Sequence, residues 1–329
     1  LIPNLSRALL GKGNALCDLE RYEESIAYFD QAISIDPNDF AALYNKACSL
    51  EKLQRYEETI QILNHALALN PNSADAWNNK GSALQKLKRH EEAILAFDQA
   101  LTIAPADSVA WFNRGLALEC LKCYEQANES YDRALAIDPN FSWAWCNKGN
   151  SLHNLKSYDQ AIQAFDRALS ISPNLASAWN RKGNSLLSVG RYIDAVQSFD
   201  RAFAIDQKLV MALVCKARAL TLLKRYEESV EAHACALAIA PNLSIAWYGN
   251  GNALMGLDRY DEANQSYDRA VAIDSKFGIA WYNKGNALFK LARYPEAVAA
   301  YDRVLEINPS GEYARRGRQQ AIDAIGVGG

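Results

Sequence analysis

Cys120 and Cys123, in the run Cys-Leu-Lys-Cys, have the spacing with which two thiolates grip one zinc ion, and Cys146 and His153 follow them. A structural zinc takes four placed ligands, and one such pair without a second does not supply them. No Ser/His/Asp arrangement and no pair of carboxylates recurs around His65, His90, His153 and His233. No glycine-rich phosphate loop is present. The adjacent acids Glu23-Glu24, Glu57-Glu58 and Glu91-Glu92 fall in the first turn of a helix, where they favour its dipole. Catalysis, a metal and a cofactor are therefore not expected. What does recur is the side-chain amide. Asn45, Asn79, Asn113 and Asn147 stand 34 residues apart with Asn283 in the same register, and Asn14, Asn150, Asn184, Asn252 and Asn286 form a second series. An amide both donates and accepts, so a row of them can pair with an extended backbone whatever its side chains.

The same interval organises the whole chain. Residues 142–175, SWAWCNKGNSLHNLKSYDQAIQAFDRALSISPNL, are one of nine copies: 6–39, 40–73, 74–107, 108–141, 142–175, 176–209, 210–243, 244–277 and 278–311. Within a copy, positions 4, 8, 11 and 14 (Trp145, Gly149, Leu152, Leu155) fall on one face of a helix A. Positions 20, 21, 24, 27 and 28 (Ala161, Ile162, Phe165, Ala168, Leu169) do so for a helix B after a short polar link, Lys156-Ser157. Proline at position 32 is expected to stop helix B, and Asn174 to cap the next helix A. Glycine at position 8 in seven copies, at roughly 1 kcal/mol against alanine each, marks a close approach of A and B. Small residues at position 20 are the expected other half, and a small position 27 lets the next Trp at 4 pack down. One hairpin cannot bury both faces, so stacking builds the core.

This period and residue set resemble the tetratricopeptide repeat. The resemblance implies an all-α, right-handed superhelical solenoid of antiparallel helix pairs. Its inner wall is made by helix A, chiefly positions 2, 5, 6, 9, 12 and 13, and holds a peptide or a protein segment. Both Asn series lie on that wall. The family's carboxylate clamp asks for Lys at position 5, which no copy has; Arg181 alone matches its Arg slot, and Asn14 with Asn45 forms only the neutral half. The sharpest irregularity is apolar: Val109, Phe112 and Leu116 at positions 2, 5 and 9, with Trp143 at position 2 of the next copy. These form an expected aromatic anchor, and a weaker cluster comprises Tyr248, Met255, Tyr282 and Phe289. The alternative is that these side chains complete the packing between copies.

Position 7 is basic in eight copies, from Lys12 to Lys284, which could serve an acidic partner or nucleic acid. The competing reading, favoured here, pairs these heads with Asp at position 25 and lays their stems on apolar surface. A formal charge of −3, from 35 basic and 38 acidic residues, gives no general attraction for polyanions. Nucleic acid is thus a disfavoured partner, and self-association a rival to groove binding. No apolar run is long enough to cross a membrane. Seven scattered cysteines read as free thiols in a reducing, cytoplasmic setting. Residues 1–5, with Pro3 at position 32 and Asn4 at 33, read as the end of a preceding repeat in a longer protein. Residues 312–325 read as a polar capping helix, with 326–329 as a frayed tail. Copy 6 ends in Gln207 instead of proline and copy 7 departs most, with Leu213, Cys215, Ala217, Arg218 and His233. A change of stacking is expected near 207–215.

Overall fold

The computed structural model describes residues 2–327, with side chains from 5 to 326. It contains helices and no strand among the described residues. From the second copy on, helix A occupies positions 1–13, and in every copy helix B occupies positions 17–30, as in Ser142–Asn154 and Tyr158–Ile171. Within each of two compact units, residues 1–171 and 172–329, consecutive helices pack on one another as a stack of helix pairs. The unbroken period predicts one array. A stack in which each pair touches only its neighbours divides readily into such units.

The turn between A and B is a tight left-handed cap. Position 15 has positive φ in every copy, at Glu20, Gln54, Lys88, Lys122, Lys156, Lys224, Asp258 and Ala292, and glycine serves only at Gly190. The amide of the residue that follows returns to the helix, as in Arg55 N to Leu50 O at 2.9 Å. Arg at position 16 then grips the acid at 19, as Arg55 does Glu58.

The stop of helix B differs from expectation. It ends at Ile205 and Ile273 in the copies with Gln207 and Ser275, at the same position as where proline follows. In the two copies without proline the side chain at position 31 closes the turn: Asp206 and Asp274 accept from the amides of Lys208 and Lys276 at 3.0 Å, as Asp138 does from Asn140 at 2.9 Å. The helices flanking 207–215 accordingly keep the bounds they have elsewhere. The cap of helix A lies at position 34 and not at Asn174: Asp39, Ser73 and Asp107 accept from the first free amides.

Both termini also depart from expectation. The first helix, Ile2–Asp18, already includes Pro3 and Asn4, since proline in a first helical turn forfeits no hydrogen bond. The last helix, Glu312–Val327, extends through Gly326, while 328–329 lie outside the described residues.

Position 8 does face helix B, but its partner is the ring at 24. A Cβ on Gly115 would lie 2.5 Å from Tyr131 Cε1, and one on Gly183 would lie 2.6 Å from Phe199 Cε1. The two copies with Ala47 and Ala217 carry Leu63 and His233 there instead. The small position 20 packs beside the Leu at 11, as Ala127 does with Leu118. Trp111 rests on Ala100 and Leu101 of the preceding copy, as the small position 27 predicts.

Candidate functional site

A 13-residue helix A that packs one stripe on its own helix B leaves positions 2, 5, 6 and 9 facing elsewhere. Position 2 stands furthest out. In the first unit Val109 is 49% and Trp143 52% exposed. In the second unit the same slot carries Met211, Ile245, Ile279 and Tyr313, all exposed, so four alternate helices, three of them helix A and the last the terminal helix, each present one bare apolar side chain. Sequence reasoning singled out the first two and missed these four. Reading position 2 down every copy, and not only where aromatics cluster, would have found them.

The aromatic members of the two expected clusters pack against rings of their own copies. Phe112 is half-buried, its ring 4.7 Å from that of Phe141 and 6.0 Å from that of Tyr131, and Leu116 is half-buried. Tyr248 lies 5.1 Å from Phe277, and Tyr282 lies 5.9 Å from Tyr301. Met255 and Phe289 likewise pack against the buried core of their copies.

The amide rows are largely joined to the protein itself. Asn45 donates to Asn14 at 2.8 Å and Asn283 to Asn252 at 2.8 Å, each reaching from position 6 to position 9 of the copy before. Asn79 reaches Tyr44 Oη at 3.1 Å, and Asn113 reaches Asn78 at 3.2 Å. Asn147 caps the Trp143 carbonyl, and Asn150 donates to Glu119. Asn252 and Asn286 accept from Tyr267 and Tyr301 at 2.8 Å. Asn184 is half-buried, and Arg181 is exposed. These amides tie successive copies together and keep only their spare valences for a ligand. Burial holds the Tyr301 hydroxyl protonated, pushing its pKa up to about 12.

The position-7 cations pair with the acid at 25 of the preceding copy. Lys46 meets Asp30 at 2.5 Å, Arg114 meets Asp98 at 2.6 Å, Lys216 meets Asp200 at 2.7 Å and Lys284 meets Asp268 at 2.5 Å. Where position 4 is Trp the cation also lies over its ring, as Lys284 does at 5.0 Å from that of Trp281. Lys80 is the exception that explains the rule: position 25 before it is Asn64, and its ammonium rests over Trp77 at 4.8 Å, where burial lowers its pKa. The N–H of each tryptophan at position 4 closes the joint, as Trp77 Nε1 does on the Pro71 carbonyl at 3.0 Å.

One cavity of about 520 Å³ opens on the helix-A face of copies 7 and 8, between Met211 and Ile245. Its lining includes Val214, Arg218 and Leu222 of one helix, Tyr248, Gly249 and Asn252 of the next, and His233 behind them. All seven cysteines are free thiols, and no cluster of three metal-ligating His, Cys, Asp or Glu occurs among the described residues. No helix of the described residues is long and apolar enough to cross a membrane.

Family profiles described as Tetratricopeptide repeat match residues 6–39, 44–108, 108–141, 142–175, 176–209 and 248–312. No curated protein matches the chain. Among solved structures, the Cut9–Hcn1 hetero-tetramer of APC/C is similar over 91% of this chain and 59% of that one, at 17% identity and TM-score 0.54; the chain thus spans less than two thirds of that protein. The C-terminal part of a TPR repeat-containing protein from Cytophaga hutchinsonii matches over 72% of this chain and 97% of its own, at 17% identity and TM-score 0.60. YrrB, described as a TPR protein with an unusual peptide-binding site, matches over 58% of this chain and 99% of its own, at 19% identity and TM-score 0.50. At such identities the likeness is one of fold.

Proposed function

Because this chain belongs to the tetratricopeptide repeat family, we propose that it is a non-enzymatic scaffold that binds a polypeptide segment along the helix-A face. The observation that carries this reading is the exposed apolar row at position 2: Val109 and Trp143 in one unit, Met211, Ile245, Ile279 and Tyr313 in the other. Exposed apolar side chains repeated on one face mark interaction surfaces, and Trp and Tyr are frequent anchors. The peptide-binding site described for YrrB supports the same class of ligand. The amide rows contribute backbone pairing only through the valences that their ties between copies leave over. The paired position-7 cations count against nucleic acid, and the free thiols fit a reducing, cytoplasmic setting.

The test is selection of displayed random peptides on the full chain, followed by anisotropy titration of those retained. Trp143→Ser should weaken peptides held by the first unit and Ile279→Ser those held by the second, while the helical circular-dichroism signal stays. Equal affinity for both variants and the wild type would overturn the position-2 row as the contact surface. Self-association is the second reading, favoured by the same bare side chains; sedimentation then finds a mass that rises with concentration and falls on Ile279→Ser.

A further inference from the structure

Copies 7 and 8 break the repeat's own rules at three places that meet at one cavity. Position 24, a Phe or Tyr ring in seven copies and Leu63 in another, is His233. Position 6 of the following copy, an Asn in five copies, is Gly249, and a Cβ there would lie 2.5 Å from His233 Nε2. Position 9 of copy 7, an Asn in five copies, is Arg218. All three line the 520 Å³ cavity, whose apolar walls are Val214, Leu222, Ile245 and Tyr248.

His233 is 1% exposed, yet neither ring nitrogen has a hydrogen-bond partner. A buried polar ring without partners is destabilising, and such a group in a native fold asks for an explanation. Any side chain at 249 would collide with the imidazole; glycine lets the ring lie against the neighbouring helix A at the cavity's edge. Arg218 is exposed beside the cavity, with no carboxylate paired to it among the described residues. Local departures that reinforce one another at a cavity are the pattern of a site.

We propose that this cavity receives a tyrosine side chain of the bound polypeptide, its hydroxyl on His233 and an acidic neighbour on Arg218. The inference rests on the scaffold reading above. Tyrosine combines an apolar body for the walls with a polar tip that both donates and accepts. A neutral imidazole offers one nitrogen of each kind, and burial keeps His233 neutral near pH 7 by holding its pKa at about 4. The guanidinium suits a carboxylate beside the tyrosine.

The experiment pans displayed random 16-residue peptides on the full chain and titrates the retained sequences by anisotropy. Retained peptides should be rich in Tyr next to Asp or Glu, and Tyr→Phe in the peptide should weaken binding about tenfold. Arg218→Gln, on an exposed residue, should remove the preference for the acid. The double variant H233F/A217G restores the ring-and-glycine pair of the other copies and should bind Tyr and Phe peptides alike. Retained peptides indifferent to Tyr→Phe and to Arg218→Gln would overturn the pocket and leave the scaffold reading standing. If no peptide is retained at all, both fall.

Discussion

Gly149 and Phe165 lay claim to the same space: a Cβ on the glycine would sit 2.8 Å from Cε1 of the ring. The ring is wholly buried, so it has nowhere to withdraw. This contact, repeated in seven copies, explains why a residue that disfavours helices occupies the middle of helix A. The same geometry explains Ala47 opposite Leu63, where no ring presses on the helix.

Gly149→Ala should therefore destabilise the chain by roughly 1–3 kcal/mol, despite alanine's better helix propensity. The pair G149A/F165L should recover part of the loss, because it recreates the Ala47 and Leu63 arrangement. Urea denaturation of the three variants measures both effects. A stabilised G149A would show that the ring yields.

Ala292 holds a φ of 56°, in the left-handed region that alanine disfavours. Ala292→Gly should stabilise by about 1 kcal/mol, since glycine already serves this slot at Gly190. A thermal melt reads the change. A lower midpoint would mean that the added freedom of the unfolded chain outweighs the relieved strain.

His233 gives a pH dependence whose sign follows from its burial. Its pKa falls from 6.5 to about 4 in the folded protein, so between these values the unfolded chain binds the extra proton. The stability that this contributes is fully present above about pH 6.5 and is lost as pH falls toward 4, about 3 kcal/mol over the window. Denaturation of wild type against H233F/A217G isolates the histidine from the chain's carboxylates. Parallel pH profiles would contradict the assignment.

Lys80 lacks the acid that its counterparts have, because Asn64 stands where Asp30 and Asp98 stand before Lys46 and Arg114. Asn64→Asp should add roughly 0.2–1 kcal/mol at low salt, and the gain should vanish in 1 M salt. A gain independent of salt would point to something other than the ion pair.

Sequence alone determined the helices and their order. Hydrophobic positions that recur with a helix's period, punctuated every 34 residues, leave one local solution, and the helices lie where that pattern puts them. The pairing of Lys at 7 with Asp at 25 was legible too, because both columns recur in register. Periodicity tells which face is buried, though, and not which side chain it meets. Glycine 8 was thus assigned to position 20, when the ring at 24 reaches across to it. The proline at 32 looked like the stop signal, yet the Asp at 31 does that work where proline is missing.

Tertiary structure alone decided which wall residues stay free. Phe112 and Trp143 read alike as aromatic anchors, but Phe112 finds Phe141 at the end of its own copy while Trp143 at position 2 finds nothing to cover it. The amides read alike as well, and only packing showed Asn45 and Asn283 donating to their own neighbours. His233 carried no signal in its column beyond being odd. Its meaning comes from Gly249, sixteen residues on, whose missing side chain makes room for the imidazole at the edge of the cavity. Such a relation joins two helices through the shape of the gap between them, and a linear period holds no record of that gap.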